Sequence, residues 1–202
     1  MPTTGKAALR ERLLAARRSV PDEVHAAEAR ALSRHITELA AGLVDTGGTV
    51  CAYVPVGAEP GSIDMLEVLR RRAARVLVPV ARTGEGGAAL QLRWGEYRPG
   101  HLVAGPFGLL EPPEPWLPAS ALADAAVVLV PALAVDWSGV RLGRGGGFYD
   151  RSLVGRHPQA RLAAVIRDGE LVDVVPSEPH DVPMTHAVTP ARGVVALGAA
   201  SK

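Results

Sequence analysis

The sequence predicts an α/β fold, in which a mostly parallel β-sheet is flanked by helices on both faces, giving three α/β/α layers. Short, continuous, Val-rich runs that are typical of buried strands alternate with segments whose apolar residues have helical spacing. Parallel strands need long crossover connections and a cover on both faces of the sheet, and this alternation supplies both. At 202 residues the chain suits one domain, and we expect positions 1–5 and 198–202 to be frayed ends.

Leucines at helical spacing predict a first helix over Lys6–Arg18. Ser19 is the predicted N-cap of a second helix, which runs to about Ala41 and ends at Gly42.

Short apolar runs predict strands at Thr49–Val56, Arg75–Val80, Val127–Pro131, Leu162–Ile166 and Ala187–Thr189, and the alternation of apolar and polar residues predicts a half-buried strand at Ala89–Trp94. Two more helices are expected, from about Ile63 to Ala73 and from about Gly147 to Gly155. Between them, Gly100–Ser120 is rich in proline and glycine but also carries large apolar residues, so we expect an ordered loop. Because ligands of open parallel sheets bind beyond the carboxyl ends of the strands, the loops after Val56 and Pro131 are expected to converge on one site.

Composition excludes several classes of function. The net charge of +1 gives no electrostatic reason to expect nucleic acid, and aromatic residues at 4% argue against a base-stacking surface. Cys51 is the single cysteine, which excludes an intramolecular disulfide and a zinc–cysteine cluster. No apolar stretch approaches the ~20 residues that cross a bilayer. We therefore expect a cytoplasmic monomer that binds small molecules and neither nucleic acid nor membrane.

The most informative segment is the stretch 127–150, VVLVPALAVDWSGVRLGRGGGFYD, in which a buried strand leads into a glycine-rich turn. The glycines allow positive φ and a close approach to a ligand, and Arg141 and Arg144 add guanidinium groups suited to phosphate oxygens. The turn is neither a P-loop nor a dinucleotide fingerprint, since Phe148 stands where the last glycine of GxGxxG would be. Taken alone, it is also compatible with a flexible connection bearing solvated arginines. In context it indicates a small α/β enzyme that handles a polyphosphate or an acid.

The segment GVRLGRGGGFYDR, following VPALAVD, closely resembles the signature of the 5-formyltetrahydrofolate cyclo-ligase (methenyltetrahydrofolate synthetase) family. Four other segments resemble the family in the same order along the chain: KAALR with Lys6 and Arg10, YVPVGAEPGSIDML with Glu59, FGLLEP, and VPSEPHDVPMTHAVTP with Asp181. Single segments such as KxxLR are weak signals, but the ordered set is specific and covers nearly the whole chain.

The resemblance implies an enzyme that uses ATP and Mg²⁺ to convert 5-formyltetrahydrofolate to 5,10-methenyltetrahydrofolate, releasing ADP and phosphate. The formyl oxygen is phosphorylated to an imidate phosphate, which N10 of the folate then attacks. Such a reaction needs positioned cations and amide donors more than a nucleophile, which agrees with a sequence that carries no evident catalytic triad.

By the same resemblance, Lys6, Arg10 and Arg144 are expected to be catalytic. The residues expected to bind ATP are Lys6, Arg10, Arg141, Leu142, Gly143, Arg144, Gly145, Gly146, Gly147, Phe148 and Tyr149. Lys6 and Arg10 are four residues apart and would present two charges on one helix face, although a solvated helix face is the alternative. Asp150 and Asp181 match the acidic positions of the family that are associated with magnesium, an ion that prefers oxygen ligands. For Asp150 a favourable charge in the first turn of a helix is a second, compatible explanation.

The residues expected to bind the folate are Val54, Glu59, Phe107, Arg144, Phe148 and Tyr149. Glu59 would accept paired hydrogen bonds from the pterin amino and N3–H groups, an arrangement that suits a carboxylate. Phe107 would stack on a ligand ring or anchor its loop. The chain departs from the family pattern at Gly146, where some relatives carry lysine, and at Phe148, where tyrosine is frequent.

Two other functions remain open at this point. A non-catalytic protein that stores or senses a folate or a nucleotide could keep Glu59 and the glycine turn. A sugar-phosphate or acyl-transfer enzyme could use a similar scaffold, because fold alone does not fix chemistry.

Overall fold

The computed structural model describes residues 5–41, 43, 47–178 and 181–198. The helices in these ranges are α1 (Lys6–Arg18), α2 (Asp22–Leu39), α3 (Asp64–Arg70) and α4 (Phe148–Ser152). The strands are β1 (Thr49–Cys51), β2 (Arg75–Val80), β3 (Arg93–Glu96), β4 (Val103–Ala104), β5 (Leu110–Glu111), β6 (Ala125–Pro131), β7 (Ala134–Asp136), β8 (Arg141–Leu142), β9 (Arg161–Val165), β10 (Leu171–Val172), β11 (His186–Thr189) and β12 (Gly193–Ala196).

The central sheet has seven strands in the order β12-β11-β9-β6-β1-β2-β3. The five inner strands run parallel, and β12 and β3 close the two edges as antiparallel strands. Its register places Cys51 of β1 between Leu77 of β2 and Val128 of β6. Two small sheets stand apart from it, β10-β7-β8 and the hairpin β4-β5. The predicted mostly parallel sheet is confirmed.

Each face of the central sheet packs against helices, which gives the three α/β/α layers. On one face, apolar residues of α2 and α3 such as Ile36 and Leu66 pack on Val50 and Val76 of the sheet. On the other face, Cys51 belongs to a second core cluster covered by α4 and by the 3-10 helices Ala119–Asp124 and Leu153–Gly155. Burial there raises the pKa of the Cys51 thiol well above its ordinary value. The helices of this second layer are too short to produce the helical periodicity that α1 and α2 show in the sequence.

Helix α1 docks separately, on the small sheet. Its Leu9 and Leu13 pack against Leu133 and Leu142. At its carboxyl end the buried Arg17 forms a forked ion pair with the buried Glu170, with both N···O distances 2.7 Å. Nη2 of Arg17 also donates to the carbonyl oxygen of Ala132 at 2.5 Å. Because Ala132 follows β6 and Glu170 follows β9, this one side chain ties α1 to the carboxyl edge of the central sheet.

Several predicted boundaries are wrong, for identifiable reasons. Ser19 is the C-cap of α1 and not the N-cap of α2, because its hydroxyl donates back to Ala16. The apolar run from Thr49 outlasts β1 because Tyr53 and Val54 are buried outside the sheet. The strand expected at Ala89–Trp94 starts later, at β3, since the Leu92 amide bonds to the Ser152 hydroxyl instead.

Other predicted elements are present with shifted ends, and some predicted ends lie outside the described residues. The Gly100–Ser120 segment is ordered, and it contains the β4-β5 hairpin. The helices expected at Ile63–Ala73 and Gly147–Gly155 are shorter, and the latter ends as a 3-10 helix. The helix end expected at Gly42 and most of the expected frayed ends lie outside the described residues. Within the described ranges, every helix is too short or too polar to cross a bilayer. The monomeric state and the cytoplasmic location stay predictions.

The buried ion pair yields a stability prediction. Glu170→Ala is expected to lower the free energy of unfolding by about 3–5 kcal/mol, because Arg17 keeps a buried charge without its carboxylate. Replacing both Arg17 and Glu170 with methionine should recover part of that loss, since neither position then holds a buried charge, while the Arg167 amide and the Ala132 carbonyl oxygen lose a partner. Urea unfolding at pH 7 measures both. Arg18→Met, on the exposed neighbour, serves as the control, and a Glu170→Ala loss no larger than that of the control would contradict the prediction.

Candidate active site

A cavity of about 330 Å³ opens at the carboxyl edge of the central sheet. The segments that follow β1, β2 and β6 line it, together with the glycine turn and the β4-β5 hairpin. The expectation that the loops after β1 and β6 converge is therefore confirmed. Its volume is at the lower end of the ~300–1,000 Å³ typical of ligand pockets, enough for the reacting part of a larger molecule.

The glycine turn forms one wall of the cavity from Gly143 to Gly147. Gly145 and Gly147 have φ of 97° and 74°, a left-handed conformation that side chains rarely adopt. Nε of Arg10 donates to the carbonyl oxygen of Gly143 at 2.9 Å, so α1 holds the turn from outside the cavity. A Cβ at Gly146 would lie 3.1 Å from the Phe148 ring, so a side chain there requires that ring to shift.

Arg141 and Asp150 bracket the turn. Nη2 of Arg141 pairs with Oδ1 of Asp150 at 2.5 Å, and Nη1 donates to the carbonyl oxygen of Pro131 at 3.2 Å. Both side chains line the cavity. Leu142, expected among the ATP-binding residues, lies between them in the chain but buries its side chain against α1. The whole residue is buried off the cavity wall, and its carbonyl oxygen accepts the Leu133 amide at 2.7 Å, so the structure does not bring Leu142 to the site.

Glu59 lies on the cavity wall just beyond β1, and its side chain is buried. Oε2 accepts the Val56 amide at 3.1 Å, and Oε1 lies 3.4 Å from Nε of Arg144, whose side chain is half-exposed. Burial raises the pKa of Glu59 above its ordinary value, and the charge of Arg144 and the Val56 amide offset this only in part. A buried carboxylate with one oxygen on a half-exposed cation is suited to exchanging that cation for the N–H donors of a ligand.

Aromatic and apolar side chains complete the cavity. Val54, Phe107, Phe148 and Tyr149 all line it, and the Phe107 and Phe148 rings meet at 5.7 Å between centroids. The Tyr149 hydroxyl is out of contact with solvent and has no hydrogen-bond partner among the described residues. Burial raises the pKa of this phenol, so it is a neutral donor at physiological pH. A ligand could pair with this oxygen only if the side chains that cover it moved aside.

Lys6 and Asp181 lie next to each other, and neither side chain lines the cavity. Nζ of Lys6 is 3.2 Å from Oδ2 of Asp181 and 3.1 Å from Oε1 of Glu178. Partial burial lowers the pKa of Lys6, but the hydrogen bonds to these two carboxylates outweigh it, so the pKa stays above its ordinary value. Lys6 is therefore a fixed cation one helical turn before Arg10.

The fit of a magnesium ion follows from the carboxylates. Among the described residues no three His, Cys, Asp or Glu side chains come together in a metal-binding group. Magnesium is often held by one or two carboxylates with phosphate oxygens and water completing the shell. Both carboxylates are already paired with a cation, Asp150 with Arg141 through Oδ1 and Asp181 with Lys6, but Asp150 lies on the cavity wall beside the turn and so fits that mode better. The residues fit a magnesium ion that arrives with a nucleotide and not a preformed protein cage.

Sequence reasoning missed some lining residues. Tyr53, Leu133 and Arg17 line the cavity without having been predicted. The first two directly follow strands β1 and β6, so the rule that ligands bind beyond strand ends could have found them. Arg17 is seven residues after Arg10, two helical turns on, and the shared helix face was the available signal.

The sequence of this chain matches one known protein family over most of its length. The model of the 5-formyltetrahydrofolate cyclo-ligase family matches residues 2–190. The chain belongs to the 5-formyltetrahydrofolate cyclo-ligase family. Two relatives named 5-formyltetrahydrofolate cyclo-ligase agree. One from Mycolicibacterium smegmatis is 57% identical over 197 residues, covering 98% of this chain and all of the relative. One from Escherichia coli K12 is 32% identical over 146 residues, covering 71% of this chain and 79% of the relative.

Solved structures support the fold of this cyclo-ligase family member. The NMR structure of 5,10-methenyltetrahydrofolate synthetase from Aquifex aeolicus superposes with a TM-score of 0.72 at 23% identity, covering 98% of this chain and 94% of the other. A synthetase from Mycoplasma pneumoniae gives 0.66 at 18% identity, covering 89% and 94%. The resemblance inferred from the ordered motifs is confirmed, and the chain is an enzyme of the cyclo-ligase class.

Two tyrosines in the core offer a matched pair of variants. Tyr53→Phe is expected to lower the free energy of unfolding by about 0.5–1.5 kcal/mol, because its hydroxyl donates to the Pro60 carbonyl oxygen at 2.5 Å. Tyr149→Phe should not lower that free energy and should raise it by up to about 1–3 kcal/mol, since it removes a buried hydroxyl that has no hydrogen-bond partner among the described residues. Urea unfolding of the ligand-free variants makes the comparison. A larger loss for Tyr149→Phe than for Tyr53→Phe would contradict it.

The raised pKa of Glu59 gives a pH-dependent prediction. The folded chain binds the Glu59 proton more tightly than the unfolded chain, so the ionised carboxylate lowers stability as pH rises through its folded pKa. Glu59→Gln should therefore raise the Tm at pH 7–8, and the gain should disappear below the ordinary glutamate pKa of about 4.3. Thermal unfolding across this range is the measurement, with Glu11→Gln on the exposed face of α1 as control. A gain that does not change with pH would count against the buried charge as its cause.

Proposed function

We propose that this chain converts 5-formyltetrahydrofolate to 5,10-methenyltetrahydrofolate with ATP and Mg²⁺, releasing ADP and phosphate through a phosphorylated formyl group. The proposal treats the whole chain as a single cyclo-ligase domain whose partners are these two small molecules. It extends the family assignment to the substrates and the order of chemical steps.

The observation that carries the proposal is the contact between Arg144 and Glu59. Nε of Arg144, on the glycine turn, lies 3.4 Å from Oε1 of Glu59, on the loop after β1. A guanidinium suited to phosphate and a carboxylate suited to a pterin therefore meet in one cavity. A reaction that transfers a phosphoryl group onto a folate needs these two recognition elements side by side.

In the proposed reaction the formyl oxygen attacks the γ-phosphorus of ATP, and the bond from that phosphorus to the ADP oxygen breaks. The product is an imidate phosphate, in which the former carbonyl oxygen has become a good leaving group. N10 then attacks the formyl carbon and loses its proton, the C–O bond breaks, and inorganic phosphate leaves. The charge that develops in the first step lies on the phosphoryl oxygens.

The residues of this chain contribute charge and position to that step. The backbone of the glycine turn lines the cavity next to Arg144, so its amides and that guanidinium can face phosphoryl oxygens together. Arg10 braces the turn from α1, and Lys6 adds a second cation on the same helix. Glu59 would hold the folate ring, Tyr149 would line its pocket, and the touching rings of Phe107 and Phe148 would pack together on one side of it.

Asp150 is the proposed magnesium ligand. Asp181 is a second proposed ligand, which would have to give up its ion pair with Lys6 to bind the ion. When bound, the ion would neutralise phosphate charge and orient the γ-phosphoryl group. Within the protein, Asp150 also keeps Arg141 fixed beside the turn.

The direct test is a spectroscopic assay. Purified protein with 5-formyltetrahydrofolate, ATP and Mg²⁺ should produce the ultraviolet band of the methenyl product together with an equal amount of ADP. Omitting ATP, or chelating Mg²⁺, should abolish both signals. Binding of both ligands with no product would favour a non-catalytic folate protein, and ATP hydrolysis without the methenyl band would contradict the proposed coupling.

Arg144→Ala tests the charge-stabilising role. We expect kcat to fall by about 10²–10³-fold, since a charge-stabilising donor is lost, while the Kd of the folate changes much less because Glu59 is retained. Single-turnover kinetics and calorimetric folate titration separate the two quantities. Arg12→Ala, on the exposed face of α1, is the control. Equal losses in kcat and folate binding would argue against a transition-state role.

A further inference from the structure

The β4-β5 hairpin, residues 103–111, supplies one wall of the cavity but is held by little of its own structure. It consists of two two-residue strands joined by a short 3-10 turn at Pro106–Gly108. A two-stranded hairpin is marginally stable at best without further packing. Its tip residue Phe107 is 61% exposed and has a φ of 62°, a strained value for a side chain of this size. Contacts at the base of the hairpin are therefore needed to hold Phe107 at the cavity wall.

The base is fixed by a forked ion pair. Glu111, the last residue of β5, is buried, and its two oxygens accept from Nη1 and Nη2 of Arg82 at 2.7 and 2.6 Å. Arg82 follows β2 and also donates to the carbonyl oxygen of Ala81, a residue of the cavity wall. Its guanidinium lies 4.3 Å from the centre of the Trp116 ring. Two parallel hydrogen bonds and a stacked ring leave Arg82 one orientation.

The hairpin closes tightly onto this pair. A Cβ at Gly105 would lie 2.5 Å from Oε2 of Glu111, so the strand that leads to the tip rests directly on the carboxylate. The Gly105 amide then bonds to the Leu109 carbonyl oxygen at 2.8 Å, on the far side of the tip. Displacing Glu111 would release Gly105, Phe107 and Leu109 together.

We propose that Arg82 and Glu111 are positioning residues for the folate side of the cavity. Their ion pair fixes the hairpin to the end of β2, so that the Phe107 ring stays in tilted contact with the Phe148 ring, 5.7 Å between centroids, and the two rings form one aromatic wall for a ligand ring. The proposal rests on the proposed function only in naming folate as the ligand. It assigns no contact between Arg82 and substrate, because Arg82 acts through the hairpin.

The test compares Arg82→Met and Glu111→Gln with Arg93→Met. Arg93 is the matched control, because its guanidinium also lies over Trp116, at 5.6 Å, but donates to the Trp116 carbonyl oxygen. Arg82→Met and Glu111→Gln should raise the KM and the Kd for 5-formyltetrahydrofolate by about tenfold, equal to ~1.4 kcal/mol. The KM for ATP should stay within about twofold, because the glycine turn is untouched. Arg82→Lys should fall between, since lysine keeps the charge but not the fork.

Amide hydrogen exchange of residues 103–111 gives a readout that needs no turnover. It should be about tenfold faster in Arg82→Met and Glu111→Gln than in the wild type and Arg93→Met, with exchange in β6 unchanged. A lower Tm with unchanged folate KM and unchanged hairpin exchange would overturn the proposal and leave the pair a purely structural one. If Arg82→Met does not fold, Glu111→Gln and Arg82→Lys decide it. If the wild type fails to bind 5-formyltetrahydrofolate, the proposed function fails and the named ligand with it, while the exchange data still decide whether the pair fixes the hairpin.

Discussion

The parallel pairing of β6 with β1 on one side and β9 on the other is the constraint on which the site depends. Parallel strands bring all of their carboxyl ends to one edge, and β2 adds its own end there. The loop that bears Glu59, the entry to the glycine turn, and the anchors Arg82 and Glu170 all follow these strands. Distant segments of sequence therefore meet without any long-range side-chain contact having to bring them together.

The sequence predicted well whatever depends on hydrophobic pattern or on a local motif. Apolar runs are enough to predict the parallel core and α1. The order of the motifs along the chain is enough to predict that Glu59 clusters with the glycine turn. What it could not show is pairing between residues far apart. Nothing local to Arg17 or Glu111 indicates a buried ion pair, because each partner lies tens of residues away and a charged residue normally predicts exposure. Strands of two or three residues, such as β7, β8 and β10, are likewise too short to leave a periodic signal.

Three cations of the proposed site are each paired with a carboxylate of the chain. Lys6 is paired with Asp181, Arg141 with Asp150 and Arg144 with Glu59. Every one of these cations is proposed for phosphate and each carboxylate for magnesium or pterin. Ligands would thus replace contacts that already exist, which keeps buried charges compensated in both states.

The position of Cys51 has a practical consequence. The chain's single thiol lies fully buried on the strand next to the centre of the sheet, and its raised pKa keeps it protonated. Alkylating reagents attack the thiolate, so they can reach it only after the covering layer of α4 and the two 3-10 helices has left this face of the sheet. The rate of labelling therefore reports opening of the core on this face of the sheet, including any movement of α4 that begins at the glycine turn.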